Sequence, residues 1–128
     1  MFMHGDSVRY DEVDGFVYGE WTGLITFMFR GDECEITSLD SLQAGKGIGT
    51  KLIDEVLREA RERKCKRVTL ITTNDNLRAL GFYQKRGFKL FALHRCAVDV
   101  SRKRKPSIPL TGQNDIPLHD EIELEILI

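Results

Sequence analysis

The chain has 128 residues, long enough for one domain with a real core and too short for two. Lys and Arg number 19 against 20 Asp and Glu, and the net charge of -1 excludes a general nucleic-acid or membrane role. Three cysteines, Cys34, Cys65 and Cys96, are odd in number and lie far apart without C-x-x-C spacing. This suits free thiols in a reducing cytosol better than a disulfide frame or a zinc site. No apolar run is long enough to span a bilayer, and the opening M-F-M-H-G-D lacks the basic and apolar regions of a signal peptide, so a soluble cytoplasmic protein is expected.

The residues through Asp14 are polar and weakly patterned. Phe16 to Glu20 and Leu24 to Arg30 are then β-prone runs around Trp21, Thr22 and Gly23, the pattern of a hairpin. Gly31 and Asp32 make the next turn, and Cys34 to Leu39 is a third strand that closes an antiparallel meander. From Ile48 the apolar residues Leu52, Ile53, Val56, Leu57 and Ala60 recur at helical spacing. Lys51, Asp54, Glu55, Arg58, Glu59, Arg61 and Glu62 are assigned to the solvent side, with Asp54–Arg58 and Glu59–Arg63 set for i,i+4 pairing. Arg67 to Thr72 is a strand that would lie parallel to Cys34–Leu39, which makes a right-handed βαβ unit.

A second helix is expected in T-T-N-D-N-L-R-A-L-G-F-Y-Q-K-R-G-F, capped by Asn74 or Asp75 and ended by Gly87. Its interior Gly81 costs about 1 kcal/mol relative to Ala. Phe88 to Ala97 and Glu121 to Ile128 read as closing strands. The stretch between them, with three prolines and a basic start, reads as a long loop rather than a second domain. The fold class is therefore mixed α/β, a mostly antiparallel sheet with a central parallel βαβ unit, in a single domain over residues 1–128.

The stretch D-S-L-Q-A-G-K-G-I-G-T-K-L carries the first chemical signal. Gly45, Gly47 and Gly49 follow a strand and open a helix, so backbone N–H groups and the positive end of the helix dipole face an anion together. Lys46 and Lys51 fall in the wrong places for a P-loop, and Thr50 stands where a dinucleotide fingerprint needs its third glycine. The pattern Q/R-x-x-G-x-G/A fits better, and here the chain resembles the GNAT superfamily of acyl-CoA-dependent N-acyltransferases. Ala44 occupies the Gln/Arg place, with Gln43 one residue early, so the resemblance rests there on backbone donors. The family's later motif N-x-x-A-x-x-F-Y-x-x-x-G-F is filled at Asn76, Ala79, Phe82, Tyr83, Gly87 and Phe88.

The resemblance implies acetyl-CoA as co-substrate and assigns roles residue by residue. Backbone groups of Leu39, Asp40 and Ser41 would pair with the pantetheine arm like an added strand. The backbone N–H groups from Gly45 through Lys46, Gly47, Ile48, Gly49 and Thr50 would hold the pyrophosphate. Asn76 would bond a pantetheine amide, with Ala79 leaving room beside it. Tyr83 would be the general acid, since a phenol with an ordinary pKa of about 10 is matched to a departing thiolate; the alternative is a packing aromatic. Glu35 would act as base through water, or else be an outward strand residue, and Asp40 is a second candidate for base or cation anchor. His4, His94 and His119 are scattered without partners, and Arg102, Lys103, Arg104 and Lys105 read as a solvated basic turn or a contact for a CoA phosphate. No metal site is expected.

Most family members begin with a strand and one or two helices that wall off the acceptor, whereas few residues precede the first clear strand here. The acceptor groove is then open, or a second copy in a homodimer covers it. The function implied is transfer of an acetyl group to the amine of a small molecule or peptide, and the alternative is a non-catalytic CoA-binding regulatory module.

Overall fold

In the computed structural model, which describes residues 7–10, 13–18, 23–41 and 47–128, the apolar stripe after the glycines forms helix α1 (Ile48–Glu62). Ile48, Leu52, Ile53, Val56, Leu57 and Ala60 are all buried. They pack on an antiparallel meander of β1 (Ser7–Tyr10), β2 (Val13–Tyr18), β3 (Gly23–Arg30) and β4 (Glu33–Ser41), with α1 resting on the last three strands. The facing side chains Phe16, Ile25, Phe27, Cys34 and Ile36 are equally buried, which satisfies the period-2 alternation of strands β3 and β4. The chain divides into two compact units, and these elements form the first, Met1–Thr69 with Leu127–Ile128.

Helix α1 stops in a Schellman turn. Lys64 takes a left-handed φ of 59°, and the Cys65 and Lys64 N–H groups donate back to Ala60 and Arg61 at 2.9 and 3.0 Å. Strand β5 (Arg67–Thr73) then lies beside β4, which completes the strand–helix–strand unit, and Arg67 pairs with Glu33 at 3.0 Å. Arg63 pairs with Glu59 at 3.5 Å, one of the two i,i+4 pairs expected.

Beginning with Leu70, the second unit, Leu70–Ile126, continues β5 and adds α2 (Leu77–Lys85), β6 (Lys89–His94), α3 (Ala97–Arg104), a 3-10 turn at Gln113–Asp115 and β7 (Glu121–Leu127). Its strand order is β5-β7-β6, and β6 and β7 are antiparallel with an irregularity at Phe91. Its apolar centre is small: Leu70, Phe88, Val98 and Leu124. The sheet is mixed and the fold is α/β, as the patterning predicts.

Three expectations need correction. The polar N-terminal stretch contains a strand: β1 pairs with β2 from Ser7↔Phe16 to Tyr10↔Val13, so β2 starts before Phe16. Pairing of backbone groups, not apolar patterning, makes this element. Glu20, Trp21 and Thr22 of the expected hairpin lie outside the described residues. The closing strand ends at His94, and the proposed loop contains α3. A left-handed turn at Cys96, burial of Val98 and an Asp99–Arg102 pair stabilise that helix. Finally, Glu55 is buried, not solvated. It follows Ile48 by seven residues, about 20° short of two full turns, so the helix places it on the apolar face whatever its charge.

Gly23 lets this packing close. A Cβ there would stand 2.5 Å from Ile48 Cγ2 and 3.2 Å from Leu52 Cδ1, so the first two turns of α1 approach β3 only over a bare backbone. Gly23→Ala is expected to destabilise the protein by about 1–3 kcal/mol through overpacking, read as a lower midpoint in urea unfolding. An unchanged midpoint would show that α1 does not depend on this contact.

Candidate active site

Strand β4 carries the first group of candidate residues. Its register with β3 slips between Thr26↔Ser38 and Phe27↔Ile36, which leaves Thr37 as an extra residue in a β-bulge. Nothing in the composition of I-T-S announces this irregularity. The bulge gathers three hydroxyls: Thr26 Oγ1 lies 2.6 Å from both Thr37 Oγ1 and Ser38 Oγ. Paired residues across β3 and β4 share a face, and Gly23, Ile25 and Phe27 face α1. Cys34, Ile36 and Leu39 therefore point toward the helix, while Glu35, Ser38 and Asp40 point the other way. Glu35 is half-buried and its Oε1 lies 3.6 Å from Arg30 Nη2. Asp40 is exposed.

Beyond Ser41 the predicted anion loop is described only from Gly47 onward, and Gly45 and Lys46 lie outside the described residues. Gly47 has φ 72° and ψ 10°, a left-handed conformation that glycine takes without strain, and its carbonyl accepts the Lys51 N–H at 3.1 Å. No side chain caps α1, and its first turn carries no acidic residue. The backbone donors of Ile48, Gly49 and Thr50 thus begin a helix whose own first turn supplies no carboxylate to its positive end. Ile48 is buried beneath that turn and fixes its height over the sheet.

In the second unit, α2 brings three predicted residues onto one stripe. Asn76, Ala79 and Tyr83 are spaced i, i+3 and i+7, so they rise along a single helix face. Asn76, not Asn74 or Asp75, is the N-cap: its Oδ1 accepts the Ala79 N–H at 3.1 Å. That contact occupies the carbonyl end of the side chain. Tyr83 is half-buried, set edge-on against Phe82 and Phe88 with ring centroids 5.3 and 5.8 Å away. A Cβ at the interior Gly81 would meet nothing within 4 Å, so its helix cost is tolerated rather than compensated by a close contact.

The residues before this helix do more than the sequence signals. Asn74 Oδ1 accepts the N–H groups of His119 and Asp120 at 3.1 and 3.0 Å, and its Nδ2 donates to the Pro117 carbonyl at 2.8 Å. Asp75 is buried, and its carboxylate accepts the Thr73 hydroxyl and the Gln113 N–H. Three consecutive Asx side chains thus divide the work: two tie down the 112–120 segment and the third caps α2. The clue in the sequence was the run N-D-N itself, which has two residues more than a cap requires. Arg102 is likewise no solvated cation. Its guanidinium donates to Asp99 and to the carbonyls of Ile108, Pro109 and Leu118, and it is consumed in shaping the loop.

Thiol chemistry finds no support. All three cysteines are free, and burial pushes the Cys34 thiol up to about 12, with Cys65 also raised chiefly by burial. Among the described residues no three His, Cys, Asp or Glu side chains gather as a metal site, and no helix is long and apolar enough to cross a membrane.

The pattern of the acetyltransferase (GNAT) family matches residues 8–88, a stretch that includes β4, the mouth of α1 and the α2 stripe. The chain belongs to the acetyltransferase (GNAT) family. It is an enzyme of the N-acetyltransferase class. Among its relatives, the uncharacterized protein YxbD of Bacillus subtilis is 50% identical over 128 residues, covering 97% of this chain and 80% of that protein. Solved structures share the fold, two of them acetyltransferases with the following likeness. An IAA acetyltransferase from Bacillus cereus has a TM-score of 0.78 at 24% identity, over 91% of this chain and 79% of its own. A GNAT family acetyltransferase from Elizabethkingia anophelis, with acetyl-CoA bound, has a TM-score of 0.78 at 20% identity, over 91% and 77%.

Burial alone would raise the pKa of Asp75, but the Thr73 hydroxyl and the Gln113 N–H outweigh it and hold the carboxyl below its usual 3.8. A lowered folded pKa adds stability that is full above the unfolded value and lost as pH falls through the folded one. The stability gap between the wild type and Asp75→Asn is therefore expected to be constant at neutral pH and to narrow below about pH 3.8, measured as unfolding midpoints against pH. A gap independent of pH would show that the carboxylate is not what holds the segment.

Proposed function

We propose that the protein, acting as one domain over residues 1–128, transfers an acetyl group from acetyl-CoA to a primary amine of a small molecule or peptide. The observation that carries this reading is the Asn76–Ala79–Tyr83 stripe, which sets an amide donor and a phenol on one helix face in a member of this family. The acetyl-CoA complex of the Elizabethkingia relative in fold supports the co-substrate.

The pyrophosphate would rest on the backbone N–H groups at the mouth of α1, from the loop around Gly45 and Lys46 to Gly47, Ile48, Gly49 and Thr50. The pantetheine arm would pair with the backbone of Leu39, Asp40 and Ser41 and take a hydrogen bond from Asn76. The amine nitrogen attacks the thioester carbonyl carbon, forming a C–N bond and a tetrahedral oxyanion. Collapse breaks the C–S bond, and Tyr83 donates its proton to the departing thiolate while the new ammonium loses one. Glu35, on the β4 face turned away from α1, would act earlier, taking a proton through water from the incoming ammonium so that its lone pair is free to attack, and the proton shed after attack would return to the Tyr83 phenolate.

The free thiols suit a cytoplasmic site. Strand β6 leaves Leu90, Phe91 and Leu93 more than half exposed, which suits a homodimer better than a lone chain.

The test is thiol release from acetyl-CoA against a panel of amines. Tyr83→Phe is expected to lower kcat by about a hundredfold or more with little change in the KM for acetyl-CoA, and Glu35→Gln to slow the reaction most at low pH, where less free amine is present. An undiminished Tyr83→Phe would remove the phenol from the chemistry. Binding of CoA with no turnover of any amine would favour a regulatory module instead.

A further inference from the structure

A regular strand turns alternate side chains to opposite faces, so an unbroken β4 would set Glu35 and Ser38 on different sides of the sheet. The slip between Thr26↔Ser38 and Phe27↔Ile36 changes that. Thr37 and Ser38 together oppose Thr26, and the extra residue moves Ser38 and Asp40 onto the face that Glu35 already occupies. Thr37 joins them, since Thr37 Oγ1 and Ser38 Oγ both lie 2.6 Å from Thr26 Oγ1. One inserted residue thus lines Glu35, Thr37, Ser38 and Asp40 along one side of one strand, all inside the first unit.

A hydroxyl pair across two strands is an ordinary stabiliser of a sheet, worth about 0.2–1 kcal/mol. Here the arrangement is a row, with Thr26 Oγ1 between two other hydroxyls. A hydroxyl holds one proton and two lone pairs, so Thr26 can accept from one neighbour while it donates to the other. Thr26 and Ser38 are half-buried and Thr37 is exposed, so the row leads from the sheltered part of the strand out to water. At the exposed end, Glu35 stands two residues from Thr37 on the same face, about 7 Å along the strand, a span that one water bridges. Arg30 Nη2 lies 3.6 Å from Glu35 Oε1 and keeps a positive charge beside that carboxylate. At the other end, Ser38 adjoins Leu39, where the proposed pairing with the pantetheine arm begins.

We propose that Ser38, Thr26 and Thr37 form the proton path from the incoming ammonium to Glu35. This inference rests on the acetyl-transfer reading above and supplies the route that its base requires. The ammonium gives one N–H proton to Ser38 Oγ as Ser38 passes its own to Thr26, Thr26 to Thr37, and Thr37 through a water to the Glu35 carboxylate. The amine gains its free lone pair, the three hydroxyls end neutral, and Glu35 ends as the neutral acid. Fixed hydroxyls do this without a file of free water beside the thioester, where water competes with the amine.

Thr26→Val removes the middle hydroxyl and keeps the β-branched shape. For an amine that the wild type acetylates, its kcat/KM is expected to fall about tenfold near pH 7 and to return to within about twofold of wild type above the pKa of the amine, where no proton has to move before attack. Thr26→Ser is expected to restore the wild-type profile, and the KM for acetyl-CoA to stay within about twofold throughout. The double variant Glu35→Gln, Thr26→Val is expected to be no slower than Glu35→Gln alone, because one path is not cut twice. A Thr26→Val profile that matches the wild type overturns the inference. So does a loss that is equal at every pH, or one that multiplies with the loss from Glu35→Gln, since either is the mark of a structural role. Ser38→Ala carries the same expectations and decides the matter if Thr26→Val fails to fold. A wild type that releases thiol with no amine of the panel overturns the acetyl-transfer reading itself, an outcome distinct from all of these.

Discussion

Burial of one face of α1 against β2, β3 and β4 is the constraint on which the first unit depends. A helix can present its N-terminal donors to an anion only if its axis is held at a set height and angle over the sheet, and six apolar side chains and a bare Gly23 do this. The same burial carries Glu55 inside, with Oε2 lacking a hydrogen-bond partner among the described residues. An unpaired buried oxygen is costly. The apolar stripe outweighs it, which shows how strongly helical phase dominates over the preference of a single residue.

The second unit is organised on a different principle. Its apolar centre is small, and polar side chains that reach backbone groups hold its connections in place. Asn74, Asp75 and Arg102 between them satisfy carbonyls and N–H groups that a loop of this length would otherwise leave to water. The consequence is a connection with little freedom, anchored to the end of the helix that carries Asn76 and Tyr83.

If the protein transfers an acetyl group as proposed, these two kinds of order would suit the two halves of that reaction. A diphosphate and a pantetheine arm offer many backbone-like groups and charge, and are well met by a helix mouth and a strand end whose donors are set by packing. An acceptor amine varies among enzymes of one fold, and is better met by a loop whose side chains change without disturbing a core. The bulge at Thr37 belongs to the first unit and breaks the pairing of β4 with β3. It turns β4 from a strand paired throughout with β3 into one whose residues after Ile36 are rotated by an extra position.

The sequence by itself determined the repeating elements and the chemical stripe. Ile48 through Ala60 could be read as a buried helix face because apolar residues at 3.6-residue spacing have no other low-energy arrangement, and Asn76, Ala79 and Tyr83 shared a motif whose spacing is itself helical. Local rules also placed β3, β4 and β5 to within a residue or two. The tertiary structure alone decided what depended on distant partners. Strand β1 exists because β2 pairs with it; α3 stands where a loop was expected because Val98 found a core and Asp99 found Arg102. Asp75 became a clamp because Gln113, far along the chain, brought its N–H to a buried carboxylate. Hydrogen bonds and register between residues many positions apart leave no periodic trace in a sequence, whereas burial of a repeating face does.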